Sequence, residues 1–269
     1  MIKTFVSALA LGLTLALPLA AQSSGVSPAT GEIMTGWQQA DGTRIAAIRI
    51  KLAPGWKTYW RSPGDAGIPP HFDWSGSTNL RGVGITWPAP KVYPQNGMQT
   101  IGYKDELVLP ITISARNPGK PVRLRAALDI GVCKDICVPF QISLKATLEG
   151  AVTTPTPAIA AALAARPYSA KEAGVRSTTC ALRATTNGFE IEARMNMPAM
   201  GGNEVVVIEP GDPALWMSQT QVHRSGGHLV ATGTLDAGGT QAIALDRSAI
   251  TITVLGKNQA VEIKGCTPK

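Results

Sequence analysis

Residues 129–139 read DIGVCKDICVP and place two cysteines, Cys133 and Cys137, on either side of three residues. Cysteines this close can form a disulfide only where the backbone folds back sharply, because bridged Cα atoms lie about 4.4–6.8 Å apart. The spacing therefore predicts that residues 134–136 form the tip of a tight turn. We interpret the pair as a reversible dithiol that exchanges with a partner protein. The spacing alone is equally typical of a structural hairpin disulfide.

Strand-like sequence lies on both sides of this turn. Residues 122–128 lead into it, and residues 140–146 leave it with alternating apolar and polar side chains. Five more strand-like segments precede it: 43–52, 56–60, 71–74, 84–88 and 107–113. Segments 61–70 and 90–103 are rich in turn residues, so the first is predicted not to be a central strand and the second to be a loop. Many short strands without βαβ alternation predict an all-β fold with a β-sandwich.

The composition changes at Gly150. Residues 153–157 read TTPTP, which is typical of a linker, and residues 158–165 form the strongest helix candidate in the chain. We predict four parts: a signal peptide at 1–21, a redox β-sandwich domain at 22–150, a linker with a short helix at 151–172, and a second, smaller β-sandwich-like domain at 173–269.

Two further cysteines, Cys180 and Cys266, stand near the two ends of the second β region. A bridge between them closes a long loop and stabilises the fold by roughly 4.6 kcal/mol in the chain-entropy model, against roughly 2 kcal/mol for Cys133–Cys137. The long-range pair is therefore the better structural disulfide, and the short pair, if it is strained, is the more easily reduced one. We predict that Cys180 and Cys266 form a structural disulfide.

The first residues have the pattern of a secretory signal, with Lys3, an apolar stretch at 5–19 and small residues at 20–21. An exported chain with four cysteines fits the oxidising periplasm. No later stretch reaches about 18 apolar residues, so the mature chain is predicted not to span a membrane. The formal charge is +7, but the basic residues are scattered and aromatic residues are few, which argues against nucleic-acid binding. No hydrolase motif and no cofactor motif are found, and we predict no cofactor.

The run WKTYWRSPGDAGIPP at 56–70 resembles the N-terminal periplasmic domain of the DsbD family of thiol:disulfide interchange proteins, and most closely its ScsB branch. Residues 102–110 resemble the family's strand after its cap loop, and 133–139 resemble its redox pair followed by Val-Pro. The resemblance is close over 33–148 and weaker in the second β region.

This resemblance implies an immunoglobulin-like sandwich in which Cys133 and Cys137 exchange electrons as a thiol:disulfide oxidoreductase. The donor would be a membrane protein of the DsbD/CcdA type, and the acceptor a periplasmic thioredoxin-like protein, in cytochrome c-type biogenesis or copper tolerance. The chain ends at Lys269 without the family's membrane and thioredoxin-like domains, so a separate donor is expected. The family's cap loop corresponds to 93–103, where Tyr93 or Tyr103 replaces the expected phenylalanine.

Two other functions remain open from the residues themselves. Met195, Met197 and Met200 offer three thioether ligands that suit Cu(I), with His223 and His228 downstream, although the same methionines fit a strand face and a turn. A non-redox adaptor with two permanent disulfides is the other alternative. A third feature, the aromatic set Trp56, Tyr59 and Trp60, fits core packing better than a docking surface.

Overall fold

The computed structural model describes residues 27–95, 97–150, 152–185, 188–212, 215–236 and 245–269. The predicted signal peptide at 1–21 lies outside these residues. The chain is built almost entirely of β-strands, with one α-helix among the described residues. This confirms the predicted all-β class.

The first half of the chain, residues 27–150, forms two antiparallel sheets. Its strands are β1 (Ala29–Gln38), β2 (Arg44–Leu52), β3 (Lys57–Gly64), β4 (His71–Asp73), β5 (Leu80–Ile85), β6 (Lys91–Gln95), β7 (Met98–Lys104), β8 (Glu106–Ala115), β9 (Val122–Cys133) and β10 (Cys137–Leu148). One sheet has the order β1-β2-β8-β5 and the other β10-β9-β3-β7-β6, with β4 paired to β9. The two sheets form the predicted immunoglobulin-like sandwich.

Alternating side chains build the core between these sheets. On β9, Leu124, Leu128 and Val132 are buried, while Arg123 and Arg125 at alternate positions face solvent. On β2, Ile48 and Ile50 meet the same core. Each apolar side chain of this size that leaves water contributes roughly 1.5–3 kcal/mol, so the period-2 pattern fixes which face of each strand points inward.

Two segments predicted as turn or loop are strands instead. Residues 61–64 continue β3, through an irregular register with β7 between Tyr59 and Gly64, in the middle of the sheet. Most of segment 90–103 forms the hairpin of β6 and β7. The loop prediction for 90–103 was wrong, and the prediction for 61–70 was wrong at 61–64 only, since residues 65–70 form no strand. Glycine and proline lie within these strands where two strands approach closely or where a strand is at the sheet edge.

The predicted linker packs against the first half. Helix α1 (Pro157–Ala164) begins with a proline at its first turn and buries Ile159 against Ile45 and Ala47. The hydroxyl of Thr156 donates to the carbonyl of Thr35 in β1. The segment that joins the two halves is thus held against the outer face of the first sandwich.

The second half, residues 168–269, repeats the two-sheet plan. Its strands are β11 (Tyr168–Ser169), β12 (Ser177–Thr185), β13 (Gly188–Asn196), β14 (Val205–Glu209), β15 (Trp216–Met217), β16 (Gln221–Ser225), β17 (His228–Asp236), β18 (Thr251–Leu255), β19 (Ala260–Lys264) and β20 (Thr267–Pro268). The sheet orders are β11-β19-β18-β14 and β15-β17-β13-β12-β20, with β16 paired to β17. A disulfide joins Cys180 on β12 to Cys266, next to β20.

The two halves share a packed and charged contact. Val205, Val207, Leu255 and Ala260 of the second half pack against the first half's core. Nearby, the guanidinium of Arg61 on β3 binds Glu209 and Glu262. No helix of the described residues is long and apolar enough to cross a bilayer.

Candidate thiol exchange site

The cysteine turn is the tip of the hairpin formed by β9 and β10. Cys133 ends β9, Cys137 begins β10, and the two residues are direct cross-strand partners. Side chains at such positions lie on the same face with Cα atoms about 4.5–5.5 Å apart, within the range that a disulfide needs. Both cysteines are present as thiols in this structure. The fold therefore holds the two sulfurs where a bridge can form and break with little movement of the backbone.

The two thiols differ in access to solvent. Cys133 is fully buried, and its thiol points towards the carbonyl oxygen of Lys134 at 3.9 Å. Cys137 is only partly buried, and it begins the edge strand β10. An incoming disulfide can therefore reach Cys137 first.

Strand β3 places Lys57 and Tyr59 beside the thiols. Lys57 is the cross-strand partner of Cys133, and Tyr59 follows it two residues later on the same face. The hydroxyl of Tyr59 lies 2.8 Å from the sulfur of Cys137. The Lys57 ammonium is buried and donates to the hydroxyl of Thr100 at 2.9 Å. A phenol and an ammonium thus flank the pair.

These neighbours act in opposite directions on the thiol of Cys137. Burial and the hydrogen bond with Cys133 raise its pKa above the ordinary value, while the Tyr59 hydrogen bond and the Lys57 charge lower it. The net result is a raised pKa, so the resting group is the thiol. Burial and contact with the cysteines also raise the pKa of Tyr59, so its hydroxyl keeps its proton and donates to the sulfur when Cys137 ionises.

Close packing holds the Tyr59 ring in place. A Cβ atom at Gly131 would lie 2.7 Å from the ring of Tyr59 and 2.7 Å from Cβ of Ile68. Glycine at this position on β9 therefore lets the ring lie against the strand next to Cys133. Tyr59 and Ile68 thus pack over Gly131, two residues before Cys133 on the same strand.

The two tyrosines proposed for that cap loop have different positions. Tyr103 is buried on the opposite, core face of the sheet, where its hydroxyl donates to the carbonyl of Pro88 and its ring stacks on Trp87. It cannot cover the thiols, and that expectation was wrong. Tyr93 lies on the thiol-bearing face, with the ammonium groups of Lys57 and Lys104 at 5.9 and 4.6 Å from its ring centre. It remains the one candidate of the two that faces the site.

Sequence reasoning assigned no site role to Lys57 and treated Tyr59 as packing. The alternation of WKTYW at 56–60 contains the signal, since it puts Lys57 and Tyr59 on one face and Trp60 on the other. Trp60 is fully buried, as that pattern requires. The pairing of β3 with β9, which brings that face to the cysteines, has no local signature in the sequence.

The methionine cluster lies within the second core. Met195 and Met197 are buried there, and Met200 packs at the edge of the same cluster. Within the part of the chain that the structure describes, no group of three or more His, Cys, Asp or Glu side chains could hold a metal ion. The structure gives these methionines a packing role.

A known protein family is similar to the first half of the chain. The family model of the N-terminal part of thiol:disulfide interchange protein DsbD matches residues 30–149. This segment, which is somewhat less than half of the chain, is therefore similar to the DsbD N-terminal domain family. Both cysteines of the hairpin lie inside the matched residues, and the family connects the segment with thiol–disulfide exchange in general. Comparison with curated protein sequences finds no match.

Solved structures extend the likeness beyond the DsbD N-terminal segment. The N-terminal periplasmic domain of ScsB from Proteus mirabilis aligns with 90% of this chain and 92% of its own, with a TM-score of 0.66 and 22% identity. That alignment shows the same fold over both halves. The reduced N-terminal domain of DsbD from Neisseria meningitidis aligns with 46% of this chain and 90% of its own at 17% identity, with a TM-score of 0.25 that supports no fold argument.

Proposed function

We propose that the protein is a periplasmic thiol:disulfide oxidoreductase that uses Cys133 and Cys137 as its exchanging pair. The observation that carries this proposal is the cross-strand placement of the two thiols, one buried and one accessible, at the tip of a single hairpin. A purely structural disulfide would not require that one of its sulfurs be accessible to solvent or that a tyrosine hydroxyl contact it. The similarity of residues 30–149 to the DsbD N-terminal family supports the same chemistry.

We give each sulfur a different role, because Cys137 is accessible and Cys133 is buried. The thiolate of Cys137 attacks a partner disulfide, forms a mixed disulfide and releases one partner thiol. The thiolate of Cys133 then attacks the Cys137 sulfur, closes the intramolecular bridge and releases the second partner thiol. The partner gains two electrons and two protons, and the pair Cys133–Cys137 loses them. The reverse sequence recharges the pair from a donor dithiol.

The proposed route follows from the family. Electrons enter from a membrane donor of the DsbD/CcdA type and leave to periplasmic thioredoxin-like or other disulfide-bonded proteins. The likeness to a periplasmic ScsB domain supports the compartment at the level of fold. Cytochrome c-type biogenesis and copper tolerance are the two pathways in which such a shuttle would act.

The redox state of the four cysteines in cells tests the proposal. Cells are quenched in acid, thiols are alkylated, and mass spectrometry counts the label on each cysteine. We expect label on Cys133 and Cys137 in at least part of the population, with Cys180 and Cys266 always bridged. If all four cysteines are oxidised under every growth condition, the pair receives no electrons and a structural adaptor is the better description.

Single substitutions separate the two roles. Cys133→Ser should trap mixed disulfides through Cys137, because no second thiol remains to resolve them. Cys137→Ser should abolish exchange, since the remaining thiol is buried. The order of the two sulfurs is refuted if Cys137→Ser traps partners and Cys133→Ser does not.

A further inference from the structure

The outward face of the second sheet carries a row of lysines next to the cysteines. Residues directly opposite one another on antiparallel strands share a face. The register aligns Lys104 on β7 with Lys57 on β3, and Lys57 with Cys133 on β9. Cys133 in turn aligns with Cys137 on β10. Two ammonium groups therefore stand in line with the exchanging pair.

Two more lysines extend this charge, and we call Lys57, Lys91, Lys104 and Lys134 the cationic strip. Lys91 on β6 is the cross-strand partner of Gly102, and Gly102 is also the partner of Tyr59. Lys91 therefore lies on the same face of the sheet as Tyr59. Lys134 stands in the cysteine turn, next to Cys133 in the chain. Lys91, Lys104 and Lys134 are all exposed to solvent.

Among the described residues, no carboxylate forms an ion pair with the exposed lysines of the strip. Elsewhere in the chain, Arg49, Arg61 and Arg224 each bind a glutamate. Among the described residues, Lys91, Lys104 and Lys134 form no such ion pair.

Acidic residues near the strip are fewer than the four lysines. Asp105 follows Lys104, and its charge adds to burial in raising the pKa of Tyr93. Asp135 lies in the cysteine turn. Farther along the same face, the carboxylate of Asp129 accepts a hydrogen bond from Gln141. The immediate surroundings of the thiols therefore keep a net positive charge.

The tip of the cysteine turn adds an apolar contact point. Ile136 stands between Lys134 and Cys137 with 75% of its surface exposed. Removal of such an apolar side chain from water by a partner protein is favourable, so it stabilises the complex next to the reactive thiol. Together with the lysines it defines a surface that can recognise a protein rather than a small thiol.

We propose that the cationic strip binds partner proteins whose surface is acidic around their own cysteine pair. The proposal rests on the proposed exchange function and names the chemistry of the partner for that same site. Opposite charges on the two surfaces speed the encounter and orient the sulfurs, and like charges repel wrong partners.

Three synthetic peptides of equal length serve as probes. Each has one cysteine bonded to thionitrobenzoate, flanked by glutamates, serines or lysines. Cys137 attacks the peptide sulfur and releases the coloured thionitrobenzoate thiolate, and Cys133 then releases the peptide thiol. The protein dithiol loses two electrons, and the probe disulfide gains them. Stopped-flow absorbance gives the rate constant of the first step.

The reduced wild-type protein should react about tenfold faster with the acidic than with the basic peptide at low salt, the lower end of electrostatic steering. High salt should bring the ratio close to one. Lys104→Glu should remove or invert the preference. The matched control is Lys145→Glu, an exposed lysine on the same face of β10, eight residues or about 27 Å from Cys137, which should leave the preference in place.

The outcomes separate the two proposals. If the protein reacts with none of the three peptides, the exchange function is overturned, and the partner assignment with it. Equal rates with the three peptides leave the exchange function intact and overturn the cationic strip as a docking surface. Equal losses of preference in Lys104→Glu and Lys145→Glu also overturn it, because overall charge rather than this strip would then set the rate.

Discussion

At the scale of single residues, the Tyr59 hydroxyl sets how readily Cys137 ionises. It lies 2.8 Å from the sulfur and lowers the pKa of a thiol that burial raises. In Tyr59→Phe we expect that pKa to rise further, since one hydrogen bond to the thiolate is lost. The thiolate fraction therefore falls, and the greater nucleophilicity of a more basic thiolate offsets this only in part, so exchange at pH 7 should be slower than in the wild-type protein.

The same pKa predicts the pH profile of the wild-type thiol. Because the pKa of Cys137 lies above the ordinary value of 9.0, the group is protonated at neutral pH and its alkylation by iodoacetamide should keep rising beyond pH 9. The midpoint should move to higher pH in Tyr59→Phe and stay in place in Tyr168→Phe, an exposed tyrosine of the second half. A midpoint below pH 8 in the wild-type protein would contradict the assigned balance of burial and hydrogen bonding.

Gly131 supports that hydroxyl indirectly, through the space it leaves for the Tyr59 ring. An added methyl group would meet the ring at 2.7 Å and the Cβ of Ile68 at 2.7 Å. Gly131→Ala should lower the free energy of unfolding by about 1–3 kcal/mol, typical of overpacking, and should slow exchange as Tyr59→Phe does. Gly82→Ala is the control, because no atom lies within 4 Å of its Cβ position. Equal unfolding curves for the two variants in urea would refute the packing argument.

At the scale of elements, the sequence predicts the hairpin of β9 and β10 well and the hairpin of β6 and β7 not at all. The first has clean alternation on both sides of a short turn. The second contains Pro94, Gly97 and Gly102, which are typical of loops. Pro94 is tolerated because β6 is an edge strand, and Gly102 is needed because a Cβ there would overlap the carbonyl of Thr58. Both reasons are tertiary, so no local pattern reveals them.

The candidate site divides in the same way. Its cysteines could be predicted from their spacing, since the two partners lie four residues apart. The contact from Tyr59 to Cys137 spans 78 residues and depends on the pairing of β3 with β9. The position of Tyr103 was predicted wrongly for a related reason. Alternate residues of a strand face the core and the thiols, and this alternation could not be read from a segment that was predicted to be a loop.

The disulfide of the second half is an element-scale prediction. Cys180 on β12 and Cys266 beside β20 close a sequence separation of 86 residues. Replacing both with alanine should lower the free energy of unfolding by about 2–5 kcal/mol, measured in guanidinium chloride. Exchange at Cys133 and Cys137 should keep its rate in the folded variant, because the two sites lie in different sandwiches. Loss of exchange at unchanged stability would show that the redox role was assigned to the wrong cysteine pair.

At the scale of the whole molecule, Arg61 connects the thiol site to the second half. It lies on β3, two residues after Tyr59, and its guanidinium binds Glu209 through two nitrogens and Glu262 through one. Burial alone would raise the pKa of Glu262, but the Arg61 hydrogen bond and charge lower it below the ordinary value. The ion pair therefore stabilises the contact above the unfolded-state pKa of Glu262 and loses that contribution as the pH falls through the folded-state value.

Arg61→Ala should remove this contact and leave two half-buried glutamates without their cation. We expect the free energy of unfolding at pH 7 to fall by about 1–3 kcal/mol, less than for a fully buried pair because the Arg61 side chain is 23% exposed. Calorimetry should then resolve two transitions, one for each sandwich, and the difference from wild type should shrink below pH 4. Arg166→Ala is the control, since Arg166 binds Glu172 only six residues away. If Arg166→Ala costs as much, or if Arg61→Ala unfolds in one transition of unchanged midpoint, the apolar contact alone unites the two halves.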